Sequence, residues 1–312
     1  MSVRTAFLFP GQGAQTPHFL RDLPEHEAVR EVFAEAEQTL GLHPNELDSV
    51  VALQSTVGVQ LAIFIAGVAY SRVLAARDAC PDAVAGLSVG AFAAAVTSGA
   101  LGFSDALRLV RVRADSMEES YGRGRGGGYG MIAVLGLREM DVRSVVERIG
   151  GSSTEPVYVA SVNSPTEIVL AGSDLALAAA ADAAAAMGAR SRRLCVSVPS
   201  HGALLESVSV RLRAAMSEVR LNRPRIPYIS NTRARALYDG NEIAEDLVLN
   251  VSRTVRWHES VTLLYESGAR VFIEVPPGHT LTTLVRGAFP EARASAAAEA
   301  GLDSIVHVIR SR

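Results

Sequence analysis

The sequence predicts an α/β protein, with a large domain on a parallel sheet interrupted by a smaller unit of mixed strands and helices. Three observations predict it. Short apolar strands run directly into glycine or proline, apolar helical stretches alternate with them, and a glycine-dense break precedes a change in the order of elements.

Thr5 to Phe9 is an apolar run stopped by Pro10 and Gly11, which suits a buried strand feeding a loop. Helical periodicity follows from Glu27 to Leu40, and a longer apolar helix covers Val57 to Ala75. Ala83 to Ala85 reads as a second buried strand. The stretch from Tyr121 to Gly130, Tyr-Gly-Arg-Gly-Arg-Gly-Gly-Gly-Tyr-Gly, is too rich in glycine to hold a helix and reads as a boundary.

Beyond it the expected order is strand (Met131 to Leu135), helix (Met140 to Ile149), strand (Val157 to Val162), strand (Glu167 to Ala171), helix (Leu175 to Met187) and strand (Ser191 to Val196). That βαββαβ order matches a ferredoxin-like small domain, taken as residues 129–197 within a large domain of residues 1–128 and 198–312. Later strands are expected at Ile226 to Ser230 and Val271 to Val275, a helix at Val261 to Ser267, and a surface helix in the alanine tract Ala292 to Ala300.

Composition removes several function classes. A formal charge of -3 gives no basic field for nucleic acid, and no apolar run reaches the roughly 18 residues of a membrane span. No basic-then-apolar leader opens the chain, so the expected location is cytoplasmic. Two cysteines, Cys80 and Cys195, make neither a zinc cluster nor a disulfide framework, and no metal or cofactor is expected. All 30 basic residues are arginine, so Schiff-base, pyridoxal, serine-lysine and P-loop lysine chemistry is excluded.

Gly86-Leu-Ser-Val-Gly90 lies between an apolar strand and a helix-forming stretch, Ala91 to Val96, that Gly99 can end. This is the setting of a nucleophile elbow, as in α/β-hydrolase-like folds, where a sharp strand-to-helix turn presents Ser88 and the Val89 amide can donate to an oxyanion. A chance glycine turn would read the same way. With no lysine present, a base for Ser88 must be a histidine. Of seven, His201 stands apart: it follows Val198-Pro-Ser200 where the chain returns to the large domain. The competing reading is a loop histidine with no proton to move.

On the helix beginning near Asp105, Ala106, Val110, Arg113 and Met117 share one narrow sector, while Arg108 and Arg111 project to the other side. Arg113 therefore faces inward. An unpaired guanidinium there would cost several kcal/mol, so it must meet either a buried carboxylate or an anionic ligand. Gln12, in Phe9-Pro-Gly-Gln-Gly-Ala-Gln15, leaves the first strand at the edge where α/β sheets place ligands.

Together Phe9 to Gln15, the serine elbow, Val112-Arg113, Asn163-Ser-Pro165, Val198 to His201 and Glu274-Val-Pro-Pro-Gly278 resemble, in order, the malonyl-CoA:acyl carrier protein transacylase family. Leu87 before the serine, Ala91 after the second glycine and Tyr129-Gly-Met131 make the chain most like the malonate decarboxylase epsilon subunit. The resemblance implies an α/β-hydrolase-like large domain and assigns Ser88 as nucleophile, His201 as base, and Gln12 with Val89 as oxyanion donors. It makes Arg113, Gln60 and Asn163 substrate-binding, and Asn250, where many members carry glutamine, the residue that orients His201 through its main-chain carbonyl.

The implied reaction moves a malonyl group from malonyl-CoA, through a serine ester, to the thiol of an acyl carrier protein with a phosphopantetheine-type arm. The expected setting is priming of the carrier subunit of malonate decarboxylase beside its other subunits. The alternatives are the transacylase of fatty-acid or polyketide synthesis, a serine acyl hydrolase with an acidic residue orienting its histidine, and a non-catalytic carrier-docking subunit.

Overall fold

The computed structural model describes residues 3–121, 128–150, 155–196 and 198–311. The glycine-arginine segment expected to mark a boundary falls largely, at 122–127, outside the described residues.

The chain begins with strand β1 (Thr5–Phe9) and helices α1 (Glu27–Leu40) and α2 (Thr56–Ala76), followed by β2 (Ala83–Gly86), α3 (Gly90–Thr97) and α4 (Phe103–Tyr121). Next come β3 (Tyr129–Leu135), α5 (Glu139–Gly150), β4 (Val157–Ser164), β5 (Glu167–Ser173), α6 (Asp174–Ala186) and β6 (Arg190–Arg193). The remainder is α7 (Glu206–Met216), β7 (Tyr228–Ile229), β8 (Ala236–Leu237), α8 (Gly240–Leu249), α9 (Trp257–Glu266), β9 (Val271–Glu274), α10 (Thr280–Ala288), β10 (Arg293–Ala296) and α11 (Leu302–Arg310).

Six strands form one sheet in the order β10-β9-β1-β2-β7-β8, parallel except for β8. β1 lies inside that sheet and is buried at every position, which is why it reads as a continuous apolar run rather than an alternating one. Helix α2 packs among α1, α3 and α4. At 21 residues α2 is long and apolar enough to span a bilayer, contrary to the sequence expectation that no stretch is, but 89% of that window is packed inside the protein. It is the central helix of the largest core cluster.

β3 to β6 form a separate antiparallel sheet in the order β4-β5-β3-β6, the ferredoxin-like arrangement that the βαββαβ order implied. β4 carries register shifts around Ala160, and there it turns outward to the parallel-sheet unit. The Val255 amide donates to the Ala160 carbonyl at 2.9 Å, and the Val162 amide to the Val255 carbonyl at 2.9 Å. A bulge thus becomes the hook that fastens the small sheet beside the large one.

Two further expectations are corrected. The alanine tract is not a helix: Arg293–Ala296 is the edge strand β10, parallel to Val271–Glu274, with Ala294 and Ala296 buried. Tertiary pairing with β9 outweighs alanine's helix propensity. The last small-domain strand stops at Arg193 rather than reaching Val196, and all four of its residues are exposed.

Candidate active site

Phe9 ends β1 and Gly86 ends β2 side by side, and both chains turn there at the carboxyl edge of the parallel sheet. The turn after β2 is tight enough to exclude side chains. A Cβ on Gly86 would lie 2.2 Å from the Gly90 carbonyl, and one on Gly90 would lie 2.2 Å from the Phe9 carbonyl oxygen. Between them Ser88 is held at φ 56, a left-handed conformation that costs a residue with a Cβ about 1–3 kcal/mol. Val89 sits at the amino end of α3, so its N–H is among the amides a helix leaves without an internal partner.

The Ser88 hydroxyl meets two side chains. His201 Nε2 lies 2.9 Å from Ser88 Oγ, and Arg113 Nη2 donates to the same oxygen at 3.1 Å. His201 Nδ1 lies 2.6 Å from the Asn250 main-chain carbonyl. A carbonyl only accepts, so Nδ1 carries the proton and Nε2 is left free to receive the one on Ser88. Burial, followed by the nearby Arg113 charge, pushes the His201 pKa down from 6.5 to about 3 against the opposing Asn250 bond, so the ring is neutral at physiological pH. His201 is itself at positive φ, on a loop packed over Met117, Val198 and Val251. The acid that a hydrolase would use to orient this histidine is not its partner here; a peptide carbonyl is.

Helix α4 delivers Arg113 as its apolar stripe requires, with Ala106, Val110 and Met117 buried on the same side. Arg108 and Arg111 pair at the surface with Asp105 and Asp115. Only 1% of Arg113 is exposed, and among the described residues no carboxylate pairs with it. Its neighbours are neutral: Nη1 donates to the Gln60 Oε1 atom, Nη2 to Ser88, and the buried Nε finds no partner among the described residues. Burial lowers its pKa to about 10, which still leaves it protonated at neutral pH.

These groups open into a cavity of about 280 Å³ between the two sheets. Gln12 lies on its wall together with Gln60, Ser88, Val89, Arg113 and His201. The small sheet supplies the opposite wall, where Ser161 donates to Asn163 Oδ1 at 2.6 Å and Asn163 Nδ2 donates to Glu167 Oε1 at 3.0 Å. The residues picked from sequence are therefore gathered around one space. Asn250 reaches it differently: its carbonyl faces His201, while its side-chain Nδ2 donates to the Ser88 carbonyl at 3.1 Å.

Sequence reading missed two residues behind the elbow, Asn231 and Asp246. Asn231 follows β7 at the same carboxyl edge, and that position after an apolar strand was the available signal. Asp246 carried none, because its partners are brought together only by the fold.

The acyl transferase domain family matches residues 6–303, and the chain belongs to that family. Among its relatives, the malonyl CoA-acyl carrier protein transacylase of Escherichia coli is 34% identical over 288 residues, covering 90% of this chain and 91% of the relative. The acyl-carrier-protein S-malonyltransferase of Burkholderia pseudomallei superimposes with a TM-score of 0.90 at 31% identity, over 98% of this chain and 99% of that one. A malonyl-transacylase solved with its type II polyketide acyl-carrier protein gives a TM-score of 0.89 at 29% identity, over 99% of this chain and 100% of that one.

Proposed function

We propose that the protein is a serine acyltransferase that moves a malonyl group from malonyl-CoA to the phosphopantetheine thiol of an acyl carrier protein. The observation that carries this reading is a buried, protonated guanidinium with no counter-anion among the described residues, hydrogen-bonded to the candidate nucleophile and lining the cavity between the two sheets. An acyl group bearing its own carboxylate supplies that anion and can take both ends of the fork.

Ser88 Oγ attacks the thioester carbonyl as His201 Nε2 takes its proton. The oxyanion receives hydrogen bonds from the Val89 N–H and the Gln12 side chain. The tetrahedral species then collapses, the carbon–sulfur bond breaks, and His201 returns the proton to the departing thiol, leaving a malonyl ester on Ser88. The carrier thiol attacks this ester by the reverse sequence, its proton passing through His201 to Ser88. Arg113 holds the distal carboxylate throughout, so a neutral acyl chain would leave the cation buried and unpaired.

The relatives' names favour a carrier of fatty-acid or polyketide synthesis as acceptor. Priming of a malonate decarboxylase carrier has Leu87, Ala91 and Tyr129-Gly-Met131 in its favour. Incubation with malonyl-CoA should add one malonyl group to Ser88, and the labelled protein should pass it to a holo acyl carrier protein. Release of free malonate without need of an acceptor would establish a hydrolase, and no labelling at all a docking subunit. Faster discharge to a carrier with a dephospho-CoA-derived arm would restore the decarboxylase setting.

A further inference from the structure

The main chain of Ser88 is gripped from outside the elbow. Asn231 Oδ1 accepts from the Ser88 N–H at 3.0 Å, and Asn231 Nδ2 donates to the Gly86 carbonyl at 2.6 Å. One side-chain amide thus ties the end of β2 to the peptide of the residue that stands in a strained conformation. Asn231 is itself fixed. Its N–H donates to the buried Asp246 carboxylate at 3.1 Å, and its carbonyl accepts from the Arg256 N–H at 2.7 Å. The same carboxylate accepts from the Tyr228 hydroxyl at 2.9 Å, the Thr232 N–H at 3.1 Å, the Thr232 hydroxyl at 2.7 Å and the Ser230 hydroxyl. Asp246 also stands one turn before Asn250, whose N–H donates to the Asp246 main-chain carbonyl at 2.9 Å. A single stretch of α8 therefore anchors both asparagines that hold Ser88.

We propose that Asn231 is a positioning residue for the nucleophile, set by Asp246, which locks the Ser88 peptide so that Oγ meets His201 and the Val89 N–H faces the cavity. A consequence is that the Ser88 N–H, committed to Asn231, does not donate to the oxyanion, which leaves that task to Val89 and Gln12. The proposal rests on Ser88 being the acylated residue.

Three measurements test it: amide hydrogen exchange at Ser88 in the wild-type chain, single-turnover acylation by malonyl-CoA in Asn231→Ala and in the isosteric Asn231→Asp, and malonyl-CoA affinity of each variant on a Ser88→Ala background. In the aspartate variant an oxygen, not a donor, faces the Gly86 carbonyl. The Ser88 amide should be protected, and acylation at saturating donor should fall by about 10²-fold in either variant that folds, with donor affinity unchanged, as expected for a small misplacement of reacting atoms. Fast exchange at Ser88, acylation at the wild-type rate, or a loss confined to donor affinity would overturn it. If the wild-type protein is not acylated on Ser88, the proposed function fails, while the exchange measurement still decides whether Asn231 holds the peptide.

Discussion

The two walls of the cavity are built to different standards. On the parallel-sheet side, Ser88 and His201 are held at positive φ, Arg113 and His201 are buried, and every polar atom of the Ser88 residue has a named partner. On the antiparallel side, Asn163 and Glu167 are half-buried and bonded mainly to each other, and the β6 arginines are exposed. Bond-making needs fixed distances and a dry cation, so that wall is over-determined. Receiving a long arm from a macromolecule needs access, so the other wall can stay wetter and looser.

If that contrast is correct, damage should be severe on one side and slight on the other. His201→Ala should lower the rate of acyl-serine formation by about two to four orders of magnitude, as expected for loss of a general base, measured by rapid quench with malonyl-CoA. Near-normal acylation would remove this histidine from the mechanism. Gly90→Ala places a Cβ 2.2 Å from the Phe9 carbonyl. It should cost at least about 1–3 kcal/mol, the range for overpacked interiors, seen as a lower denaturation midpoint together with slowed acylation.

Arg113→Ala should cost malonyl transfer about 10²-fold while acetyl transfer falls little, the range for losing a charge-assisted hydrogen-bond pair of about 1.5–3 kcal/mol. An unchanged ratio of malonyl to acetyl use would show that the guanidinium is only structural. Across the cavity, Asn163→Ala should change acylation by no more than about tenfold, near the worth of one net hydrogen bond of about 1 kcal/mol. A larger loss would mean that the small sheet takes part in the chemistry.

The mildest test is pH. His201 titrates near 3 when folded and 6.5 when free. Between those values the unfolded chain binds a proton that the folded chain does not, so stability rises with pH across that window and levels off above it. The slope from this group should reach at most about 1.4 kcal/mol per pH unit, and His201→Gln should flatten it in a denaturant series. Acylation should likewise hold its rate as pH falls through 6.5; an acid limb centred there would mean that the ring is solvated and not buried.

Much of this was legible in the residues. Thr5–Phe9 and Glu27–Leu40 are observed with the limits read from sequence, because a buried parallel strand and an amphipathic helix each carry a local period. Arg113 was legible for a similar reason, as a cation inside an apolar stripe. The alanine tract misled, since its local preference is helical while β9 offers an unfilled edge. Asn231 showed only its place after an apolar strand, with its partner Ser88 143 positions away, and Asp246 was silent, being joined to Ser88 only through other residues.

By itself the sequence determined the βαββαβ order of the small domain, the glycines that let a serine stand on a sharp turn, and the exclusion of amine chemistry from a chain without lysine. Whether Arg113 already had an acidic partner, which nitrogen of His201 carries the proton, and what grips the Ser88 peptide were decided only by tertiary structure. Periodicity and steric need are written into neighbouring residues. The counter-charge and hydrogen-bond partners of a buried group come instead from whichever distant segments the fold brings against it.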